Sequence, residues 1–324
     1  MIKTRTIHCF GKNDIREVIW DRPEMSDDQI ECKILFCGQC RSDIGNFMAA
    51  ERMPYSDGNN PDGKIGTWGH EGLSIVTRKG RNIKNVPIGA FVATWSDPAY
   101  ADYYYAKENE FVIVPEASPK YILQPVASAV NIAEKTMDML RNISQDGSEI
   151  SPRTPILLLG SGFMSFVVFQ ILKKYQYELV VCGSSHKSIW KDKFGIELQN
   201  VDAQEENSFG CVIDLTSKSE NFDKIIKICK NEGLICYAST PYSPVTTNFF
   251  ETCWKCHTWI FPSPRNSDFN EIMAKTRDYI MEGFLDTEWM WSKGYDRENM
   301  DEVRQGFIDG VERKGDYIRG YIKW

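Results

Sequence analysis

The sequence predicts an α/β protein, with a doubly wound parallel sheet in the central part of the chain and a β-rich part before it. Three observations predict this class. Apolar runs alternate with helical segments from residue 155 onward. The first of these runs ends at Gly160-Ser161-Gly162, which is typical of a buried strand that turns sharply into a helix. The first ~115 residues instead carry the alternation and turn signals of β structure.

Length and composition define the class of protein. The chain has 324 residues, enough for two domains, and its net charge is -7 with scattered basic residues. We therefore expect neither nucleic acid nor a membrane as a partner. Residues 1–8 lack the apolar core of a signal peptide, and no apolar run approaches the ~20 residues of a membrane span, so we expect a cytoplasmic protein. Its ten cysteines should be reduced and mostly buried.

The β-rich domain is predicted to comprise residues 1–126, and residues 268–324 are expected to return to it. Within it, residues 29–37 and 72–77 alternate as strands do, and residues 54–63 are dense in Pro, Gly, Asn and Asp and are therefore a loop. Helical periodicity at residues 127–143 leads out of this domain. The polar residues 144–148 then form a short linker.

The parallel-sheet domain is predicted to comprise residues 127–267. Its predicted strands are residues 156–159, 179–182, 211–214 and 234–238, a weaker strand at 198–201 and a last strand at 258–261. Helical segments separate them, for example residues 222–230. Residues 268–283 and 300–313 are predicted to be helices, and residues 317–324 a terminal strand that joins the first domain.

The turn after the first parallel strand is a candidate dinucleotide site. The glycines permit a tight turn and let backbone N–H groups approach a pyrophosphate, which the following helix N-terminus stabilises. The predicted cofactor-binding residues of the turn are Gly160, Gly162, Phe163 and Met164. Ser165 stands where the pattern prefers Gly or Ala, so helix and strand should lie slightly further apart.

The end of the second parallel strand favours NADPH over NADH. A carboxylate there would bind the ribose 2′-OH of NAD, but residues 183–187, directly after the strand, include none. Ser184, Ser185 and Lys187 can instead donate to a 2′-phosphate. The alternative is an ordinary polar turn that happens to hold a lysine.

Two segments of the β-rich domain carry a candidate metal site. Cys40, His70 and Glu71 offer a thiolate, an imidazole and a carboxylate, which suit a catalytic Zn²⁺ with an open fourth position. Asp43 is predicted to accept a hydrogen bond from His70 and fix its tautomer. Two alternatives exist: His70 is an ordinary loop histidine, or Cys37 and Cys40 form a thioredoxin-like dithiol.

A second cysteine motif lies late in the chain. Cys253-Trp254-Lys255-Cys256-His257 matches the haem-attachment pattern, but that pattern requires export, and no signal is visible. We interpret these residues as packing residues near the sheet edge.

The chain resembles the medium-chain dehydrogenase/reductase family, in particular its zinc-dependent alcohol and polyol dehydrogenases. Four features carry the resemblance: segments 37–43 and 69–72, the late Gly-x-Gly and the terminal Ile318-Arg319. The resemblance covers essentially the whole chain. It implies a central Rossmann domain and a GroES-like catalytic domain built from the N-terminal part and the C-terminal tail. It also implies that Ser42 passes a proton to the substrate oxygen and that Arg319 contacts the cofactor pyrophosphate.

The chain departs from the family's pattern in three ways. Residues 95–103, where many members have a four-cysteine lobe, contain no cysteine, so we expect one catalytic zinc and no structural zinc. Gln124 replaces an acidic residue before Pro125, which leaves Glu71 as the third ligand. Gly45 replaces the histidine that ends the proton relay in many members, so protons should leave through water or a cofactor ribose.

The resulting prediction is a zinc-assisted, NADPH-dependent oxidoreductase that acts on a carbonyl or alcohol of a small polar substrate, a sugar, polyol or phosphate of these. Arg41 is a candidate for substrate binding, or else a surface charge or a cofactor contact, and Trp68 and Trp95 are candidate pocket walls. One alternative is a zinc-free reductase of the same superfamily. Another is a non-catalytic NADPH-binding redox sensor that uses Cys37 and Cys40. We expect a homodimer or a homotetramer.

Overall fold

A computed structural model describes residues 2–49, 69–145, 154–216, 218–239, 244–247, 249–263 and 268–324. The predicted loop at 54–63 and Trp68 lie outside these residues. The chain divides into two compact units. One comprises Met1–Ala127 and Ser267–Trp324, and the other comprises Ser128–Asn266.

The first unit is β-rich, as its alternation predicts. Its strands are β1 (Ile2–Gly11), β2 (Asp14–Arg22), β3 (Gln29–Gly38), β4 (Gly72–Lys79), β5 (Phe91–Thr94), β6 (Tyr103–Lys107) and β7 (Phe111–Val114), and from the tail β13 (Trp291–Asp296) and β14 (Arg319–Lys323). β1 and β2 form an antiparallel hairpin, and the others form one sheet in the order β13-β14-β3-β4-β5-β7, with β6 also paired to β3.

The C-terminal tail is part of the first unit. β14 pairs antiparallel with β3 and parallel with β13. The helices of this unit are α1 (Arg41–Phe47), α7 (Phe269–Met281) and α8 (Met300–Glu312). α1 and α8 cover one apolar core, in which Phe47 and Phe307 lie with ring centroids 5.4 Å apart. The pairing of β14 with β3 places the end of the chain beside the segment that leads into Cys40.

The second unit has a parallel sheet. Its strands are β8 (Ile156–Leu159), β9 (Leu179–Cys182), β10 (Phe209–Asp214), β11 (Cys229–Tyr237) and β12 (Thr258–Ile260), and they pair in the order β12-β11-β10-β8-β9. All residues of β8 and β10 are buried, which explains why these strands have continuous apolar runs. The strand order reverses between β8 and β10, and ligands bind at such a switch point in open α/β sheets.

Helices connect the strands of the second unit. They are α2 (Leu123–Gln145), which begins in the first unit, α3 (Phe163–Lys174), α4 (Lys187–Phe194), α5 (Phe222–Ile228) and α6 (Phe250–Trp254). α2 begins four residues before the predicted start at residue 127, because Pro125 lies in the first turn, where a proline costs no helical hydrogen bond. Among the described residues, no helix combines the length and the apolar character needed to cross a bilayer.

Two further predicted elements differ from the structure. Residues 198–201 form no strand: Gln199 makes a single bridge to Cys182, and a short 3₁₀ turn follows at Val201–Ala203. The helix predicted over 222–230 ends at Ile228, because Cys229 and Lys230 already belong to β11.

Candidate functional site

The three candidate zinc ligands lie together in the first unit. One ligand atom from each of Cys40, His70 and Glu71 lies within 4.8 Å of the other two. Strand pairing explains this proximity: β3 and β4 are antiparallel with Cys37 opposite Gly72, so the residues after β3 meet the residues before β4. Cys40 is the N-cap of α1 and is half-buried.

Close backbone packing fixes the segment that carries His70. Gly69 has φ +75°, and a Cβ there would come within 2.7 Å of Tyr100. The Gly69 carbonyl accepts a hydrogen bond from Ala99 N–H at 2.8 Å, and the Tyr100 hydroxyl donates to the Gly38 carbonyl at 3.0 Å. Only a glycine fits this conformation and this space without a rearrangement.

The charges around His70 come from several acidic groups. Burial lowers the pKa of His70, but the neighbouring Cys40 thiolate and Asp43 carboxylate outweigh it, so the pKa is raised well above its usual value. Burial raises the pKa of Asp43 itself to about 6. The Asp97 carboxylate lies 3.8 Å from His70 Nδ1. Sequence reasoning missed Asp97, which no local motif connects to His70.

Glu71 has one paired and one unpaired oxygen. Its side chain is 1% exposed, and Oε1 accepts a hydrogen bond from Nη2 of Arg319 in a buried ion pair. Oε2 is buried and has no hydrogen-bond partner among the described residues. An unpaired buried carboxylate oxygen costs more than about 1–3 kcal/mol, and a cation would satisfy it. With a thiolate and an imidazole beside it, this donor set fits Zn²⁺.

Arg319 therefore has a partner that the sequence did not predict. The ion pair joins residues 248 positions apart, through the pairing of β14 with β3. It neutralises part of the charge that Glu71 would offer to a metal ion. The predicted contact of Arg319 with the cofactor pyrophosphate stays a prediction.

The remaining predicted residues of the first unit occupy different settings. Ser42 is half-buried in the first turn of α1. Arg41 donates to the Gly310 carbonyl at 3.5 Å. Trp95 donates to the Asn109 carbonyl at 3.1 Å and packs against Phe269. Arg41 and Trp95 thus both have contacts within the first unit, and their roles at a substrate or cofactor stay predictions.

Cys37 differs from Cys40 in its surroundings. It is fully buried in the core on β3, and burial raises its pKa well above the usual value. A thiol in this setting forms the reactive thiolate poorly. Its burial argues against a redox pair of Cys37 and Cys40.

The predicted phosphate turn lies at the switch point of the second unit. Gly160 follows β8 with φ +123°, and Gly162 is the N-cap of α3 with no side-chain cap. A Cβ on Gly162 would meet nothing within 4 Å, so the space in front of the helix N-terminus is open. The first N–H groups of α3, from Phe163 and Met164 onward, are the donors that a pyrophosphate would need.

The residues after β9 are held against this turn. Ser161 Oγ lies 2.9 Å from Ser185 Oγ and accepts a hydrogen bond from Ser185 N–H at 3.2 Å. The buried Trp190 donates to the Ser161 carbonyl at 3.0 Å. Ser184, Ser185 and Lys187 are exposed, as groups that bind a 2′-phosphate would be. The structure therefore brings the two predicted cofactor-binding segments together through Ser161 and Trp190, which sequence reasoning did not single out.

No protein-family model and no curated protein matches the chain. Solved structures do match over nearly the whole chain. TarJ of S. aureus in complex with NADPH has a TM-score of 0.79 at 14% identity, covering 100% of this chain and 99% of that chain. ECK1772 of Escherichia coli, an oxidoreductase/dehydrogenase of unknown specificity, has a TM-score of 0.77 at 18% identity, covering 99% of each chain.

Galactitol-1-phosphate dehydrogenase from Escherichia coli has a TM-score of 0.73 at 13% identity, covering 98% of this chain and 99% of that chain. The chain has the fold of these three proteins, two of which are described as dehydrogenases. The similarity includes both units and the C-terminal tail, and it agrees with the predicted combination of a parallel sheet with a separate β-rich part. At these identities it describes the fold alone.

Proposed function

We propose that this protein is a zinc-assisted, NADPH-dependent oxidoreductase that transfers a hydride between nicotinamide and a carbonyl or alcohol. The single observation that carries the proposal is the convergence of Cys40, His70 and Glu71, whose ligand atoms lie within 4.8 Å of one another. It occurs in a chain that has a dehydrogenase fold and an open Gly-x-Gly turn before a helix.

The residues of the first unit would have separate roles. Cys40, His70 and Glu71 would hold the zinc ion, and Arg319 would keep Glu71 in place through its Oε1. Zinc, when bound, supplies a Lewis acid that polarises a substrate oxygen. Ser42, in the first turn of α1, would exchange a proton with that oxygen.

The second unit would bind the cofactor. The N–H groups at the start of α3 would bind the pyrophosphate, and the exposed Ser184, Ser185 and Lys187 would bind the 2′-phosphate. NADPH, when bound, supplies the hydride. The absence of a carboxylate after β9 supports NADPH, and a solved structure of the same fold is a complex with NADPH.

We propose a sugar, a polyol or a phosphate of one as the substrate. The candidate metal site is rich in buried polar groups, and a protein of the same fold is a galactitol-1-phosphate dehydrogenase. Such sites discriminate strongly in favour of substrates that satisfy their hydrogen bonds.

A zinc-free reductase is the second candidate. Gln124 stands in place of an acidic residue, and the ion pair with Arg319 weakens Glu71 as a metal ligand. This candidate predicts turnover without metal, and Cys40 would then be dispensable.

One assay distinguishes the two candidates. NADPH oxidation is followed against sugars, sugar phosphates and aldehydes, with and without a chelator, for the wild type and for Cys40→Ser. We expect turnover that the chelator and Cys40→Ser both abolish, while Cys9→Ser retains it if it folds. Turnover that survives both treatments would establish the zinc-free reductase, and a protein that binds neither metal nor NADPH would refute both.

A further inference from the structure

Two exposed cysteines lie close together in the second unit. Cys253 is in the short helix α6, and Cys256 follows it shortly before β12, the edge strand of the parallel sheet. Of the ten cysteines in the chain, these two are exposed, seven are buried, and Cys40 is half-buried. The expectation that both pack near the sheet edge is wrong, because Cys253 on α6 and Cys256 in the turn after it are both exposed.

The backbone between the two cysteines forms a tight turn. Cys256 N–H donates to the Cys253 carbonyl at 3.1 Å. A hydrogen bond from residue i+3 to residue i keeps the two Cα atoms within about 7 Å of each other. Disulfides form at Cα separations of about 4.4–6.8 Å, so the backbone spacing of the two cysteines is compatible with a bond between them.

A buried lysine holds this turn in place. The ammonium of Lys255, which lies between the cysteines and is 9% exposed, donates to the carbonyls of Ile226, Lys227 and Cys229 at 3.0, 2.8 and 3.2 Å. These bonds tie the turn to the end of α5 and the start of β11. The turn therefore has an anchor that does not depend on the state of either thiol.

The motif has no third metal ligand of its own. His257 Nδ1 lies 2.9 Å from Thr252 Oγ1, and Nε2 lies 3.1 Å from the Lys230 carbonyl, so both ring nitrogens are engaged. Glu251 pairs with Lys255 at 3.4 Å. A closed zinc site needs four ligands, and a haem-attachment motif needs a histidine nitrogen as ligand. The described residues of the motif therefore favour neither site, and the two thiols are its reactive groups.

The other cysteines differ from this pair in accessibility. Burial raises the pKa of Cys182 to about 11 and that of Cys236 to about 12, which suppresses their thiolates. Cys40 belongs to the candidate metal site. A soluble thiol reagent should therefore reach the exposed pair first.

We propose that Cys253 and Cys256 form a dithiol modification site that reacts with low-molecular-weight disulfides of the glutathione class. One thiolate attacks a sulfur of the disulfide, forms a mixed disulfide and releases one small thiolate. The other cysteine then attacks the protein sulfur of the mixed disulfide and releases the second. The protein is oxidised by two electrons, the disulfide is reduced to two thiols, and the two protein protons go to those thiols.

The test uses the full chain as purified, after reduction and removal of the reductant. Treatment with glutathione disulfide should remove two titratable thiols and lower the mass by two hydrogen atoms, and dithiothreitol should restore both. Trypsin cleaves after Lys255, so the peptides that carry Cys253 and Cys256 should stay joined until reduction. The proposal does not depend on the proposed oxidoreductase function, since these readouts require no activity.

Single substitutions supply matched controls. Cys253→Ser and Cys256→Ser should each stop at a stable mixed disulfide, with the added mass of one glutathione unit. Cys256→Ser should add no backbone strain, because Cys256 already adopts a left-handed conformation with φ +55° and serine has a side chain of similar size. The double variant should react at least about tenfold more slowly than the wild type. Stable double glutathionylation of the wild type, undiminished thiol loss in the double variant, or no reaction of the native protein would overturn the proposal.

Discussion

Replacing Gly162 with alanine should weaken cofactor binding without unfolding the protein. The residue has φ -105° and ψ -159°, an extended conformation that alanine adopts, and a Cβ there would meet nothing within 4 Å. We therefore expect the free energy of unfolding of Gly162→Ala to lie within about 0.5 kcal/mol of the wild-type value. The open space is where a pyrophosphate would approach the N-terminus of α3, so the methyl group would keep the phosphates away.

The loss in affinity can be given a magnitude. A hydrogen bond to a charged group contributes about 1.5–3 kcal/mol, so the loss of one should weaken NADPH binding by about 10- to 100-fold. Titration of NADPH, followed by fluorescence, measures the affinity, and urea unfolding measures the stability. Unchanged NADPH affinity in a folded Gly162→Ala protein would refute the assignment of this turn to the cofactor.

Gly160→Ala is the matched control. Gly160 has φ +123°, and a Cβ would lie 3.3 Å from both Leu215 Cβ and Ser165 Oγ. This variant should lose about 1–3 kcal/mol of stability through backbone strain. The two variants should therefore differ in their main effect: Gly162→Ala lowers the affinity for NADPH, and Gly160→Ala lowers the free energy of unfolding.

Three further predictions concern the second unit. Lys187→Ala should weaken NADPH binding up to about fivefold and leave NADH binding unchanged. Lys191→Ala, on the same helix but paired with Glu197, should change the affinity for neither cofactor. Equal losses of NADPH and NADH affinity in Lys187→Ala would contradict a contact of Lys187 with the 2′-phosphate. Trp190→Ala should lower the free energy of unfolding by about 3–5 kcal/mol, since the side chain is fully buried, and a loss below about 1 kcal/mol in urea unfolding would contradict this packing. Burial raises the pKa of Asp214 above 3.8, so wild-type stability should fall as the pH rises from that value through the raised pKa. In urea unfolding measured at a series of pH values, Asp214→Asn should remove this fall in the free energy of unfolding, and the exposed Asp192→Asn should keep it. Equal pH profiles for both variants would exclude Asp214 as the cause.

Local sequence predicted much of the parallel-sheet unit. Strands β8 and β9 occur where their apolar runs predicted. β8 is buried at every position, and a buried parallel strand needs an apolar residue at each of them. α2 begins earlier than its periodicity indicates, because Pro125 is acceptable in the first turn of a helix. Residues 198–201 have the composition of a strand but form only one bridge, at Gln199.

Most long-range contacts could not be predicted. The cluster of Cys40, His70 and Glu71 is the exception, because the chemistry of these side chains suits one metal ion. The ion pair of Glu71 with Arg319 and the approach of Asp97 to His70 depend on strand pairing and loop packing between distant segments. The exposure of Cys253 and Cys256 likewise depends on how α6 and the turn after it pack, which the local sequence does not reveal.

Cobalt substitution tests the central claim most directly. Any bound metal is removed with a chelator, Co²⁺ is added, and the absorbance spectrum is recorded for the wild type, Cys40→Ser and Cys253→Ser. We predict one Co²⁺ per chain with an intense thiolate-to-cobalt charge-transfer band in the wild type and Cys253→Ser, and no such band in Cys40→Ser. A wild-type protein that binds no Co²⁺, or a band that persists in Cys40→Ser, would contradict a metal site at Cys40, His70 and Glu71.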